Sequence, residues 1–95
     1  MGGVVFGDDV NCARNMYLID CNHGYKRKDI LINKQEMECE RIVIGNNVWI
    51  GVNTTIIKGA KIGNGTVVGA CSLVNKHFPD DCVIGGVPAK ILLYR

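Results

Sequence analysis

The chain has 95 residues, which fits a single domain near the lower limit for a self-sufficient hydrophobic core. Eleven Lys and Arg against nine Asp and Glu give a net charge of +2, too small for a protein that binds nucleic acid through phosphate contacts alone. No segment approaches the roughly 18 apolar residues of a membrane span, and the N-terminus lacks the features of a secretion signal, so we expect a cytoplasmic protein without membrane contacts.

The first predicted element is the segment 6–23, which divides into three six-residue units that begin with Phe6, Cys12 and Leu18. Each unit opens with an apolar side chain. The pattern is weak by itself, but it has the register of a stronger repeat further along the chain. We predict that the three units form one turn of a solenoid and that His23 is its last residue.

The next segment, 24–43, does not keep the six-residue period and contains the charged run Lys26-Arg27-Lys28-Asp29. Residues inserted at one corner of a solenoid have to project outward, and such insertions usually lie on the binding face. The sequence therefore predicts one protruding loop with His23 at its root.

The segment 44–79 carries the repeat in its clearest form. An aliphatic side chain returns at every sixth position, and four residues after each of the first five the side chain is small or β-branched: Ile44, Ile50, Ile56, Ile62, Val68 and Val74, with Val48, Thr54, Ala60, Thr66 and Ser72. A period of six scatters side chains around a helix, and turn-forming residues recur inside each unit, so short strands joined by tight turns fit best. Three such strands close a triangle, and we predict an all-β parallel β-helix whose coils are 6–23, 44–61 and 62–79.

The last segment, 80–95, leaves the period and is predicted to cap the end of the single domain, 1–95. Residues 88–93 are predicted to form a short helix, because Pro88 would stand in its first turn.

The cysteine residues form no CxxC pair, and their odd number argues against a closed disulfide framework. They are Cys12, Cys21, Cys39, Cys71 and Cys82. We expect reduced thiols, most of them small buried side chains.

Four stretches of the sequence resemble the left-handed β-helix acyltransferases, in particular the hexapeptide-repeat O-acetyltransferases that use acetyl-CoA. They are residues 44–51, 62–70, 74–76 and 85–90. Hexapeptides alone occur in several kinds of enzyme, but Val-Trp-Ile-Gly at 48–51 followed by Gly-x-Pro-Ala-Lys is more specific. The segment 29–32 with Gln35 is similar to the branch that acetylates sugars and polysaccharides. The resemblance implies a left-handed coil and acetyl-CoA as the donor.

Acetyl transfer to a hydroxyl requires a base, and imidazole titrates near neutral pH. The resemblance assigns this role to His23, in a site between two subunits of a homotrimer. Asp20 is a candidate to orient the imidazole, with a plain turn aspartate as the alternative. His77, the other histidine, is expected to be a surface residue. Two histidines are too few for the three-imidazole zinc site of a carbonic anhydrase of the same fold, and no metal is predicted.

The resemblance also implies residues that bind CoA. Those expected along the pantetheine arm are Trp49, Gly51, Val52, Gly69 and Ala70, and those expected near the adenosine phosphates are Asn75, Lys76 and Lys90. A role in subunit packing is the alternative for Trp49, and simple solvation is the alternative for each lysine.

Relatives in this family usually have additional coils before the point where this chain begins. We therefore expect an unpaired edge on the first coil, an incomplete acceptor site and a stabilising contribution from trimerisation. Two alternatives to a sugar O-acetyltransferase stay open. One is an enzyme that acetylates a hydroxyl-bearing antibiotic, and the other is a truncated solenoid that assembles without catalysis.

Overall fold

The computed structural model describes residues 2–95, and nearly all of its regular structure is strand. The strands are β1 (Val4–Phe6), β2 (Asn11–Cys12), β3 (Tyr17–Ile19), β4 (Cys21–His23), β5 (Met37–Cys39), β6 (Ile42–Ile44), β7 (Trp49–Ile50), β8 (Thr55–Ile57), β9 (Lys61–Ile62), β10 (Val67–Val68), β11 (Leu73–Val74), β12 (His77–Phe78), β13 (Cys82–Gly86) and β14 (Ala89–Tyr94). One turn of 3-10 helix, Ile32–Lys34, lies in the loop. Within residues 2–95, no helix is long and apolar enough to cross a membrane.

Three sheets form the faces of a prism. Their strand orders are β1-β6-β9-β12, β14-β13-β10-β7-β2 and β11-β8-β3, and all of their pairs are parallel except β13 with β14. Trp49 lies opposite Val67, and Thr55 lies opposite Leu73, so these pairs stand 18 positions apart (67 − 49 and 73 − 55). The predicted parallel β-helix is therefore confirmed.

The first coil pairs with the second over a longer interval, because the loop is inserted between them. Val4 lies opposite Ile42, 38 positions apart (42 − 4), which equals one 18-residue coil plus 20 inserted residues. The two ends of the loop are joined by a separate antiparallel pair, β4 with β5, in which His23 lies opposite Met37. The loop thus has its own paired base beside the prism.

The aliphatic positions of the repeat point into the prism. All six are at most 1% exposed, and burial of each such side chain is worth roughly 1.5–3 kcal/mol: Ile44, Ile50, Ile56, Ile62, Val68 and Val74. The smaller inner side chains are also buried. Thr54 and Ser72 donate their hydroxyls to the carbonyls of Gly51 (2.9 Å) and Gly69 (2.6 Å). These polar groups therefore enter the core without losing their hydrogen bonds.

The corners of the coils also recur every six residues. The residues there have φ between 56° and 78°: Asn47, Asn53, Gly59, Gly65 and Cys71. This left-handed conformation is tolerated by Gly and Asn but costs energy for other residues. The turn formers seen in the sequence are thus explained, and Cys71 is the exception among them.

The last coil is two residues shorter than the others. Lys61 lies opposite His77, only 16 positions away (77 − 61). The shortening puts Phe78, which is 5% exposed, into the interior position that an 18-residue coil would give to Asp80. The Asp80 carboxylate remains at the surface, where it accepts a hydrogen bond from the backbone N–H of Asn64 at 2.8 Å.

The prediction of a helix at 88–93 is wrong. This segment lies largely in strand β14, which pairs antiparallel with β13 across a turn at Val87 and Pro88, and Gly86 at the end of β13 has φ 104°. Without β14, strand β13 would end its sheet with unpaired backbone groups, and a second strand satisfies them. A helix of six residues could not do so, and its intrinsic stability is small.

The expectation for the cysteines is wrong as well. Cys21 and Cys39 form a disulfide, Cys12 and Cys71 are exposed, and Cys82 is the one buried free thiol within residues 2–95. The bridge arises because the antiparallel pairing of β4 with β5 places Cys21 directly opposite Cys39, with 4.0 Å between their Cα atoms. That pairing lies in the loop, where the sequence has no period to reveal it.

The first coil forms one open end of the prism in the described chain. Strands β1, β2 and β3 are each the outermost strand of their sheet. Phe6 pairs with Ile44, yet it is 46% exposed, whereas Ile44 is 1% exposed. An inner position at this end is thus left partly uncovered by residues 2–95.

Candidate functional site

His23 stands at the root of the loop, as the exposed last residue of β4. The disulfide between Cys21 and Cys39 joins β4 to β5 two residues earlier. The N–H of Gly24 donates to the carbonyl of Glu36 at 3.0 Å and closes the base of the loop immediately after the histidine. The imidazole is therefore carried by a braced hairpin base rather than by a free loop.

A cavity of about 670 Å³ opens beside His23. Its first group of other lining residues is polar or basic and consists of Tyr25, Arg27 and Lys28. The second group follows along the loop and is mainly apolar: Ile30, Leu31, Ile32 and Asn33. This volume is in the range of small-molecule sites in proteins. The charged run that follows His23 had marked Arg27 and Lys28, and the resemblance had marked residues 29–32, whereas nothing in the sequence indicated Tyr25 or Asn33.

Gln35 fixes the shape of this part of the loop. Its Nε2 donates to the carbonyls of Arg27 (2.9 Å) and Ile30 (3.3 Å), and its Oε1 accepts from the N–H of Arg27 at 3.3 Å. The Arg27 guanidinium in turn binds Asp29 through two parallel hydrogen bonds of 3.0 and 2.5 Å. This guanidinium holds the pKa of the Asp29 carboxyl below its ordinary value.

The side chain of Asp20 is engaged away from the imidazole. The Asp20 carboxylate accepts a hydrogen bond from the N–H of Gly3 at 2.6 Å. The backbone carbonyl of Asp20 accepts one from the backbone N–H of Glu40 at 3.0 Å. Within residues 2–95, no hydrogen bond or ion pair joins Asp20 to His23. These contacts tie the start of the chain to the residue that precedes β4.

A second cavity, a groove of about 380 Å³, lies on the coils. It brings together five residues that were predicted to contact CoA, and three others complete it: Trp49, Gly51, Val52, Gly69 and Ala70, with Ala13, Val67 and Val68. Trp49 lines this groove and is 58% exposed. A ring of this size outside the core provides a large apolar surface for a ligand.

The groove exists because small residues stack in successive coils. Ala13, Gly51 and Gly69 occupy equivalent places, since they are separated by the coil intervals of 38 and 18 positions (51 − 13 and 69 − 51). A Cβ on Gly51 would lie 2.7 Å from the backbone nitrogen of Ala70, so no larger residue fits there without a shift of the backbone. Ala13 was missed by the sequence analysis, although the same interval would have identified it.

The other predicted contacts to CoA do not line the groove. Asn75 and Lys76 are exposed, and the Lys76 ammonium lies 5.5 Å from the centre of the Phe78 ring. Lys90 is exposed on β14, opposite Gly85. The structure thus brings together the five residues expected along the pantetheine arm, and it leaves the three residues expected near the adenosine phosphates exposed outside the groove.

Neither histidine has the neighbours that a metal centre needs. Within residues 2–95, no group of three or more His, Cys, Asp or Glu side chains is placed to hold a metal ion. His77 is exposed on β12, opposite Lys61, and lines none of the cavities described above.

Both the sequence and the fold of this chain are similar to those of known transferases. Residues 41–76 match the family described as bacterial transferase hexapeptide (six repeats). The chain is 42% identical over 96 residues to a putative lipopolysaccharide biosynthesis O-acetyl transferase, WbbJ, of Escherichia coli K12, covering 94% of this chain and 49% of that protein. It is 53% identical over 52 residues to a chloramphenicol acetyltransferase of Morganella morganii, covering 55% of this chain and 25% of that protein. The chain thus spans about half the length, or less, of these relatives.

Among solved structures, a galactoside acetyltransferase in complex with coenzyme A superposes with a TM-score of 0.87 at 38% identity, covering 96% of this chain and 44% of that one. The similarity confirms the expectation of a left-handed parallel β-helix.

Proposed function

The chain belongs to the hexapeptide-repeat transferase family, and we propose that it is an acyltransferase that transfers an acetyl group from acetyl-CoA to a hydroxyl of a sugar or polysaccharide precursor. The observation that carries this proposal is the groove beside Trp49, in a chain that matches a CoA-bound acetyltransferase over 96% of its length. A sugar is favoured as the acceptor because the O-acetyltransferase relative aligns with 94% of the chain.

In the proposed reaction, His23 acts as the general base. It takes the proton of the acceptor hydroxyl while the oxygen attacks the carbonyl carbon of the thioester. A C–O bond forms, the C–S bond breaks, and the sulfur leaves as a thiolate that takes up a proton, giving the acetyl ester and the thiol of CoA. A positioned base of this kind contributes typically 10²- to 10⁴-fold to the rate.

The donor would lie along the groove. Trp49 and Val52 offer apolar surface to the pantetheine arm, while the backbone at Gly51, Gly69 and Ala70 can approach it closely because bulky side chains are absent. Exposed Asn75, Lys76 and Lys90 are the proposed contacts for the adenosine phosphates.

We place the active sites between the subunits of a homotrimer. Support comes from the outward face of the β3 sheet, where Tyr17 and Ile19 are exposed on either side of the inward Leu18. Apolar surface of this kind commonly marks a protein interface. Light scattering should give three times the mass of one chain. The cytoplasm is the proposed location, because acetyl-CoA is available there. In that compartment Cys21 and Cys39 would be kept reduced, and the pairing of β4 with β5 and the hydrogen bond of Gly24 would hold the base of the loop.

The second candidate is acetylation of a hydroxyl-bearing antibiotic, which the 53% identity to a chloramphenicol acetyltransferase favours. That match covers 55% of the chain, so it ranks behind the sugar acceptor. A third possibility is a solenoid that assembles without catalysis.

One assay separates the three. The protein is incubated with acetyl-CoA, a thiol reagent and either a panel of sugars or a panel of hydroxyl-bearing antibiotics. Acceptor-dependent release of CoA with sugars supports the proposal, and release with antibiotics alone supports the second candidate. If no acceptor releases CoA and CoA causes no thermal shift, the protein is not an acetyltransferase.

A further inference from the structure

The loop is more basic than the chain that carries it. Residues 24–36 contain four cations against the two acids Asp29 and Glu36: Lys26, Arg27, Lys28 and Lys34. Arg27 is paired with Asp29. Within residues 2–95, the three lysines have no carboxylate within ion-pair distance. The loop therefore carries a local excess of positive charge on a chain whose net charge is only +2.

This excess is unevenly divided between the two cavities of the loop. The cavity at His23 is lined by Arg27 and Lys28 and by no acidic residue. A neighbouring cavity of about 480 Å³, which His23 does not line, is lined by Lys26 and Lys34 together with Glu36 and Glu38, and Arg27 lines both cavities. Positive charge in this neighbouring cavity is thus opposed by carboxylates of its own lining. At the His23 cavity, Arg27 is paired with Asp29, and the charge of Lys28 has no carboxylate partner within residues 2–95.

The cations at the first cavity are also partly positioned in advance. A guanidinium has five N–H donors, and Asp29 uses two of those of Arg27. The ion pair and the clamp of Gln35 hold the Arg27 backbone and side chain in place while leaving donors available. Lys28 adds a full, unpaired charge at the next position.

We propose that the acceptor is a sugar that carries an anionic group, a phosphate or a carboxylate, which Lys28 and the free donors of Arg27 bind while a hydroxyl reaches His23. This inference rests on the proposed function and adds the class of its acceptor. The apolar wall formed by residues 30–32 faces the uncharged part of the ligand, and the cavity volume of about 670 Å³ accommodates a sugar with a charged substituent. Phosphate and carboxylate share the required chemistry, because each accepts charge-assisted hydrogen bonds from Lys and Arg.

The test compares matched acceptors. Methyl glucoside, glucose 1-phosphate, a nucleoside diphosphate glucose and glucuronate are supplied with acetyl-CoA, and kcat/KM is measured from CoA release at low and at high ionic strength. At least one anionic acceptor should exceed the neutral glucoside about tenfold, and the advantage should shrink at high ionic strength. The phosphate and uronate arms identify the anionic group.

Lys28→Gln should lower kcat/KM for the preferred anionic acceptor about tenfold more than kcat/KM for the neutral glucoside, while the KM for acetyl-CoA stays constant. Lys34→Gln is the matched control, because Lys34 has the same charge and the same loop but lines the other cavity. Equal rates for neutral and anionic acceptors, or equal effects of the two variants, would overturn the inference.

Calorimetric titration of the same acceptors into the protein with CoA bound separates this inference from the proposed function. Binding of an anionic sugar without any turnover refutes the acetyltransferase and keeps the anion site. Turnover of the neutral glucoside alone keeps the acetyltransferase and refutes the anion site. Absence of both binding and turnover refutes both.

Discussion

Gln35 holds the backbone of Arg27 from both sides, accepting a hydrogen bond from its N–H at 3.3 Å and donating one to its carbonyl at 2.9 Å. The same amide reaches the carbonyl of Ile30. One side chain thus determines where two residues of the His23 cavity lie, although it does not line that cavity itself. The sequence marked Gln35 only as a point of family resemblance, and its contacts give it a positioning role.

Substitution of Gln35 should separate binding of the acceptor from binding of the donor. Gln35→Ala removes all three hydrogen bonds, so the KM for the acceptor should rise severalfold while the KM for acetyl-CoA stays constant. Gln35→Glu keeps a hydrogen-bond acceptor for the N–H of Arg27, so its KM for the acceptor substrate should lie between those of Gln35→Ala and the wild type. Because each of these exposed hydrogen bonds contributes only about 0.5–1.5 kcal/mol, the protein should remain folded. Equal changes in both KM values would show that Gln35 has only a general effect on stability.

The thiols should respond to redox conditions in a defined way. After oxidation in air, three of the five cysteines should react with a thiol reagent in denaturant, since Cys21 and Cys39 are paired. After reduction, all five should react. Bridging positions 18 apart is worth about 3 kcal/mol in the chain-entropy account, so reduction should lower the melting temperature. Cys21→Ser should match the reduced protein, and five reactive thiols in the oxidised sample would refute the pairing.

Cys71 is the corner residue least suited to its backbone. Its φ of 58° is left-handed, and the equivalent corners at Asn53 and Gly65 carry residues that tolerate this conformation. Cys71→Asn should therefore stabilise the protein by about 1 kcal/mol, measured as a higher denaturant midpoint with an unchanged slope. Cys71→Ala is the control, because a Cβ keeps the strain, and equal midpoints for the two variants would contradict the explanation.

The groove can be tested through the tryptophan at its edge. Trp49 is the only tryptophan in the chain, so a change in its fluorescence on titration with CoA reports a ligand at this place. Ala70→Leu should fill the groove and weaken CoA binding at least tenfold, because the added side chain occupies the volume of the pantetheine arm. Lys61→Leu, exposed on another face, should leave the titration unchanged. Unaltered CoA binding in Ala70→Leu would place the donor elsewhere.

Much of the fold could be predicted because the six-residue period is a direct consequence of the geometry. Ile44 and Ile50 are inward because every sixth residue reaches an equivalent face of the prism, and Ala13 could have been found by the same rule. The period ends at Val74. The burial of Phe78 could not be predicted, because it results from a shortened coil that breaks the repeat.

The parts that could not be predicted depend on pairing between segments outside the period. The disulfide requires Cys21 and Cys39 to face each other across the base of the loop, and strand β14 exists because β13 leaves an open edge. Similarly, the engagement of Asp20 with Gly3 depends on where the start of the chain packs. The short distance in sequence between Asp20 and His23 could not show that the Asp20 carboxylate binds Gly3 instead.

Removal of each histidine in turn tests the central claim most directly. His23→Ala and His77→Ala each delete one exposed imidazole. His23 lines the large cavity of the loop, whereas His77 lies on a face of the coils and lines none of the described cavities. With acetyl-CoA and the best acceptor, His23→Ala should lower kcat by about 10²- to 10⁴-fold while CoA binding, followed by Trp49 fluorescence, is retained. His77→Ala should keep the wild-type rate. Full activity in His23→Ala, or an equal loss in both variants, would contradict the assignment of His23 as the base.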